Sequence, residues 1–96
     1  MSFRKNRCVT GGIRDKVPLL TQLFLWQCID ELNEPRDKLQ IFKCSMCDGG
    51  LKIIHIQEKP EYKREYQFIV DTPIFIGKIY VIDDGDHSTM LLAEEY

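Results

Sequence analysis

Residues 38–58, KLQIFKCSMCDGGLKIIHIQE, decide the fold class of this chain. In the first half, Leu39, Ile41, Lys43 and Ser45 alternate with Gln40, Phe42, Cys44 and Met46, the period-two pattern of a strand. Asp48-Gly49-Gly50 follows, a tight-turn signal. Leu51, Ile53, Ile54 and Ile56 then run back, so 38–58 reads as a β-hairpin. Downstream, 66–70, 74–82 and 88–93 read as further strands, punctuated by Asp71-Thr72-Pro73 and Asp83-Asp84-Gly85-Asp86. Upstream, Cys8-Val9-Thr10 reads as a short strand ended by Gly11-Gly12. Between that strand and the hairpin, 18–33 has helical periodicity. Pro18 suits a first helical turn, and Asn33-Glu34-Pro35 closes the helix because the residue before a proline avoids the α region.

Consecutive strands joined by short turns favour an antiparallel sheet. The expectation is therefore an α+β fold, one long helix packed on an antiparallel β-sheet of five or six strands, as one domain over 1–96. The sheet face away from the helix is expected to be mostly wet, because Tyr62, Tyr66 and Tyr80 stand among many Lys and Glu.

The helix is apolar on two sides. At roughly 100° per residue, Phe24, Leu25, Cys28, Ile29 and Leu32 gather on one side, while Leu19, Leu23 and Trp26 fall opposite. A surface helix normally carries one apolar stripe, and 96 residues leave little protein to cover a second. Val9 and Ile13 can cover part of it from within the chain. Partner contact is the preferred reading, since exposed apolar patches on monomers are usually small and Trp is enriched at interfaces. Leu19, Leu23 and Trp26 are thus the candidate interface of a homodimer. The matching function is a non-enzymatic interaction or accessory module with an unknown protein partner.

A formal charge of −2 and a pI near 5.6 give no global attraction for nucleic acid or anionic membrane. The ends differ in sign. Arg4, Lys5, Arg7, Arg14 and Lys16 crowd the start; Asp83, Asp84, Asp86, Glu94 and Glu95 crowd the end. These read as two solvated termini, or as ends that pair with each other. The apolar run at 17–29 is shorter than the roughly 20 residues a membrane span needs, and no secretory leader pattern opens the chain. A cytoplasmic location is expected, with Cys8, Cys28, Cys44 and Cys47 as reduced thiols or metal ligands.

Two clusters carry possible metal chemistry. Cys44-Ser45-Met46-Cys47 has the spacing of a zinc knuckle, but a structural zinc needs two further ligands. Strand positions three apart also point to opposite faces. Asp83, Asp84, Asp86 and His87 place three carboxylates and an imidazole together, which suits a hard cation or a metal-dependent enzyme. The loop lacks the position-12 glutamate of an EF-hand, and Asp-Gly-Asp is equally a plain turn. His55, beside Ile53, Ile54 and Ile56, reads as a satisfied, partly buried histidine. No hydrolase elbow or phosphate loop is present. Arg4-Lys5-Asn6-Arg7 is too short a basic run to make nucleic acid an expected partner, and no cofactor is expected.

The chain resembles a family of small proteins known mainly from Gram-positive bacteria, domain of unknown function 960. Three blocks carry the likeness: Val9-Thr10-Gly11-Gly12-Ile13; Leu23-Phe24-Leu25-Trp26-Gln27 through Ile29-Asp30-Glu31-Leu32; and Ile82-Asp83-Asp84-Gly85-Asp86-His87-Ser88-Thr89-Met90-Leu91-Leu92-Ala93-Glu94-Glu95-Tyr96. Leu39-Gln40 with Phe42, and Gln57-Glu58 with Pro60 and Tyr62, match more weakly. The resemblance implies a cytosolic bacterial protein and brings no activity, cofactor or catalytic residue. Cys44 and Cys47 are not part of the pattern.

Overall fold

The hairpin forms the centre of the molecule. β2 (Leu39–Cys47) and β3 (Gly50–Gln57) pair antiparallel from Ile41↔Ile56 to Cys47↔Gly50. A Cβ on Gly50 would fall 1.8 Å from the Phe68 carbonyl oxygen, so only glycine admits the neighbouring strand this closely. That neighbour, β4 (Tyr62–Ile69), pairs along all of β3 and starts before the 66–70 segment expected from hydropathy. Its first half is charged because β4 is an edge strand, and charge on an edge discourages stray pairing.

The other side of β2 takes β5 (Gly77–Asp83), and β6 (Ser88–Leu92) returns beside β5. Residues 71–76 cross from β4 to β5, so the strand expected over 74–82 starts only at Gly77. β1 (Arg7–Val9) lies parallel to β6, and the Thr10 N–H extends that ladder to the Met90 carbonyl at 3.0 Å. The strand order is β1-β6-β5-β2-β3-β4. The sheet is therefore mixed rather than antiparallel, because the first strand docks on the last one. The computed structural model describes residues 6–96; the basic residues Arg4 and Lys5 lie outside that range.

Gly11-Gly12 does not simply end a strand. It opens α1 (Gly11–Lys16), whose N-cap Thr10 accepts the Ile13 N–H at 3.3 Å and so satisfies one orphan donor of the first turn. Pro18 caps α2 (Leu19–Asp30), which has 12 residues and is not the long helix expected over 18–33. Glu31 and Leu32 close it, the latter bonding back to the Ile29 carbonyl at 3.1 Å. Arg36 then donates to the Leu32 carbonyl at 3.0 Å, supplying the donor that the helix end lacks. No described helix is long and apolar enough to cross a membrane.

The core lies between the helices and one sheet face. Ile13, Leu25 and Ile29 meet Phe42, Ile53, Ile79, Val81 and Met90, all essentially without exposed surface. The strand registers put Tyr62 and Tyr66 on this inner face, across from Gln57 and Ile53. This corrects the expectation that both lie on the outer face. The outer face carries half-buried Leu39, Ile41, Ile54, Ile56, Tyr80 and Ile82 and is far less polar than the sequence reading assumed.

Candidate functional site

The core stripe of α2 lies where the periodicity puts it: Leu25, Cys28, Ile29 and Leu32 are buried. The opposite stripe divides. Leu19 and Leu23 are 66% and 54% exposed, while Trp26 keeps only 8% of its surface. Trp26 is covered by its own chain. The Arg7 guanidinium sits 4.5 Å from the ring centroid and pairs with Asp30 one turn further along α2. Gln22 is also buried, donating to the Val17 carbonyl at 2.9 Å, which joins α1 to α2. The exposed apolar surface thus lies at the N-terminal end of the helix, where Leu20 (80% exposed) adds to Leu19 and Leu23.

An apolar groove of about 230 Å³ adjoins these leucines, between α2 and the β3–β4 edge. Leu20, Phe24, Leu51, Phe68 and Ile69 form its walls. Phe24 reaches the sheet edge-on, 5.0 Å from Tyr66 and 4.8 Å from Phe68, ring centroid to centroid. Ile69 stands at the rim with 94% of its surface in water. The sequence pattern omitted Leu20 and Ile69. Leu20 falls between the two stripes, and Ile69 is the last outward residue of β4.

The acidic segment is built as a turn. An Asp83 carboxylate oxygen accepts the Gly85 N–H at 2.9 Å; Asp84 accepts the N–H groups of Asp86 and His87 at 3.2 and 2.8 Å. These are Asx bonds, the ordinary use of Asp before a glycine turn. His87 Nδ1 is 3.9 Å from Asp84. Asn6 donates to the Asp86 carbonyl at 2.9 Å, which holds the turn against the start of the chain. Among the described residues, no three His, Cys, Asp or Glu side chains are placed to hold a metal ion. Cys44 is buried on the inner face, with its thiol pushed up to about 12 by that burial. Cys47, three positions on, belongs to the outer face.

The termini do meet. Lys16 pairs with Glu94 at 3.3 Å, and Glu95 accepts the Thr10 hydroxyl at 2.6 Å. Both contacts are solvent-exposed.

A buried polar cluster escaped the sequence reading. His55 is fully buried, not partly so, stacked 4.3 Å from Phe42 and edge-on to Tyr62. Gln40 donates its amide to Gln57 and to the Asp37 carbonyl, at 2.8 and 2.9 Å. Its oxygen is thereby left to accept, and His55 Nε2 lies 2.7 Å from it. His55 consequently carries its proton on Nε2, and Nδ1, a bare acceptor, has no partner. Desolvation lowers the imidazole to about 4, so it stays neutral at physiological pH. Its ring neighbours are Phe42 and Tyr62, and Arg64 stands across from it on β4. The signal was available: period-two alternation puts Gln40 on the face of Phe42 and Cys44, and Gln57 on that of Ile53.

A family model described as Staphylococcal protein of unknown function (DUF960) matches residues 6–95. No curated protein matches the chain. Its fold is similar to the crystal structure of a protein of unknown function from Enterococcus faecalis. The TM-score is 0.87 at 20% identity, covering 100% of this chain and 96% of that one. At that identity the likeness establishes the fold alone.

Proposed function

The chain belongs to the DUF960 family of staphylococcal proteins of unknown function, and from that premise we propose that it is a non-enzymatic interaction module that self-associates through the start of α2. One observation carries this reading: Leu19, Leu20 and Leu23 are all more than half exposed beside an apolar groove. From Leu19 to Ile29 the helix contains no charged residue, so a two-fold axis through the patch brings no like charges together. A self-complementary patch of this kind suits an isologous dimer, with the leucines of one copy entering the groove of the other.

The magnitudes favour a modest affinity. Fully burying a leucine is worth roughly 1.5–3 kcal/mol, whereas association costs at least about 4 kcal/mol in lost freedom. A dimer held by these leucines belongs in the micromolar range. Four cysteines without a disulfide among them suit a reducing compartment, which supports a cytoplasmic location.

Light scattering after gel filtration, run over a range of concentrations, tests the proposal. Leu19→Asp with Leu23→Asp is the informative variant, because both side chains are already exposed and the core is untouched. Trp26→Asp would instead place a charge beneath Arg7 and disturb the fold. The wild type should reach the dimer mass, and the double variant should stay monomeric with unchanged circular dichroism. A wild type that remains monomeric at every concentration, or a variant that still dimerises, overturns the reading.

A further inference from the structure

The sheet face turned away from α2 has the composition of a face meant to be covered. Leu91, Tyr80, Ile41 and Ile56 stand side by side across β6, β5, β2 and β3. Leu39 and Ile82 pair with each other on one side of this row, and Ile54 lies on the other. None of these belongs to the core cluster. An antiparallel sheet with one wet face alternates apolar with polar residues, while strands covered on both faces read as continuous apolar runs. Ile53-Ile54 and Ile79-Tyr80-Val81-Ile82 are of the second kind. From the C-terminal end Tyr96 meets Tyr80 edge-on at 5.4 Å on this face, and Leu91 beside Tyr80 is buried, while the other six are half-buried.

Charge on the same face is one-sided. Lys43 stands directly opposite Lys78, and Lys52 is the diagonal neighbour of Lys43, which pairs with Ile54. Like charges placed across a strand pair repel. Among the described residues none of the three has a carboxylate within ion-pairing distance. The strand positions of this face hold one acid, Glu65, and it accepts a bond from Gln67 at 2.9 Å.

We propose that this face docks an acidic, amphipathic α-helix of a partner protein, whose apolar stripe covers the Ile41–Ile56–Tyr80 row and whose carboxylates meet Lys43, Lys52 and Lys78. A helix is the element that normally covers an open sheet face, as α2 does on the other side. The four-strand row spans about 15 Å at the usual strand spacing, the length of roughly ten helical residues. Face-to-face pairing with a second copy of this chain brings no matching acid, since that face offers Glu65 alone. Single-stranded nucleic acid needs aromatic platforms for its bases, and this row is aliphatic apart from Tyr80. The face lies on the opposite side of the sheet from the leucine patch, so the inference stands independently of self-association through α2.

The test titrates the protein with a helical peptide bearing a leucine stripe flanked by glutamates, read by amide chemical shifts and by fluorescence anisotropy. Comparison ligands are the same peptide with lysine flanks, one with its stripe scrambled, and an oligothymidylate. The glutamate peptide should shift the amides of Ile41, Ile56 and Tyr80, and scrambling should abolish the effect. Lys43→Glu with Lys78→Glu, both at exposed positions, should weaken it at least tenfold and make the lysine-flanked peptide the tighter ligand. The proposal is overturned if the glutamate peptide leaves these amides unmoved, or if the charge reversal leaves peptide preference unchanged. It is equally overturned if the oligonucleotide alone binds the face, or if these amides respond only to protein concentration.

Discussion

The His55 imidazole donates its Nε2 proton to the Gln40 side-chain oxygen at 2.7 Å, and its other nitrogen has no partner. The pair joins β2 to β3 in the buried inner layer, beside Gln57, and the arrangement favours a neutral ring. Burial holds the folded-state pKa at about 4, against an ordinary value of 6.5.

Stability should therefore fall in acid over a defined window. Between pH 6.5 and 4 the unfolded chain binds the His55 proton and the folded chain does not, so stability decreases as pH drops. The contribution is complete above pH 6.5 and is lost progressively on the way down to about pH 4. Its full size is about 3 kcal/mol at 1.36 kcal/mol per pKa unit. Urea unfolding at several pH values within the window measures it. In His55→Phe, which preserves the stack on Phe42, the slope over this window should flatten; an unchanged slope would assign the acid sensitivity to other groups.

Trp26 and Arg7 make a second measurable pair. The guanidinium lies over the indole and also reaches Asp30, so Arg7→Gln removes a cation–π contact and an ion pair together. A partly desolvated cation–π contact is worth about 1–2 kcal/mol, and the part-buried ion pair, its side chains 26% and 36% exposed, adds a smaller amount. Arg7→Gln should cost about 1–2 kcal/mol. It should also shift the emission of Trp26, the only tryptophan in the chain, to longer wavelength as water reaches the ring. Unaltered emission would mean that something other than Arg7 shields the indole.

What could be read from the sequence followed local chemistry. The 38–58 hairpin was legible because alternation on both arms meets a glycine turn, and the core side of α2 because five residues share one helical face. α1 was not, since Gly11-Gly12 opposes helix by propensity and the helix depends on the Thr10 cap and on burial of Ile13. The parallel β1–β6 pairing joins residues some 80 positions apart, which no local pattern reports. The exposed and buried halves of the Leu19–Leu23–Trp26 stripe were inseparable for the same reason: Arg7 comes to Trp26 from a different strand. The apolar outer face was legible in part, as the unbroken runs in β3 and β5, but the scattered lysines concealed it.

The contact between the chain ends yields a prediction about α1. Thr10 caps α1 and at the same time donates its hydroxyl to Glu95, which also accepts the N–H groups of Gly12 and Leu92 at 3.3 and 2.8 Å. The Thr10 hydroxyl is the main cause holding the Glu95 carboxyl below its usual range. Gly12 leaves room for this, since a Cβ there would fall 2.7 Å from the Glu95 carboxylate. Thr10→Val should cost about 1 kcal/mol, the usual loss for an N-cap, and should speed amide exchange at Ile13. Gly12→Ala should displace Glu95 while leaving the cap intact. Ile13 protection would then persist while Leu92 protection falls; loss of both together would show that cap and C-terminal turn form one cooperative unit.

Thiol reactivity follows from the same burial map. All four cysteines are free, with Cys8 exposed, Cys47 intermediate, and Cys28 and Cys44 buried. Burial raises Cys28 to about 11 and Cys44 to about 12; for Cys28, a hydrogen bond with Tyr66 opposes part of the rise. Only the thiolate is nucleophilic. Near pH 8 roughly one Cys28 thiol in a thousand is ionised, and about ten times fewer at Cys44. Iodoacetamide should therefore modify Cys8 first and Cys47 more slowly in the folded protein, and reach Cys28 and Cys44 only after denaturation. Peptide mass spectrometry over a time course reads the order directly. Modification of Cys44 in the native protein as fast as Cys8 would mean that the β2–β3 layer opens far more readily than its packing implies.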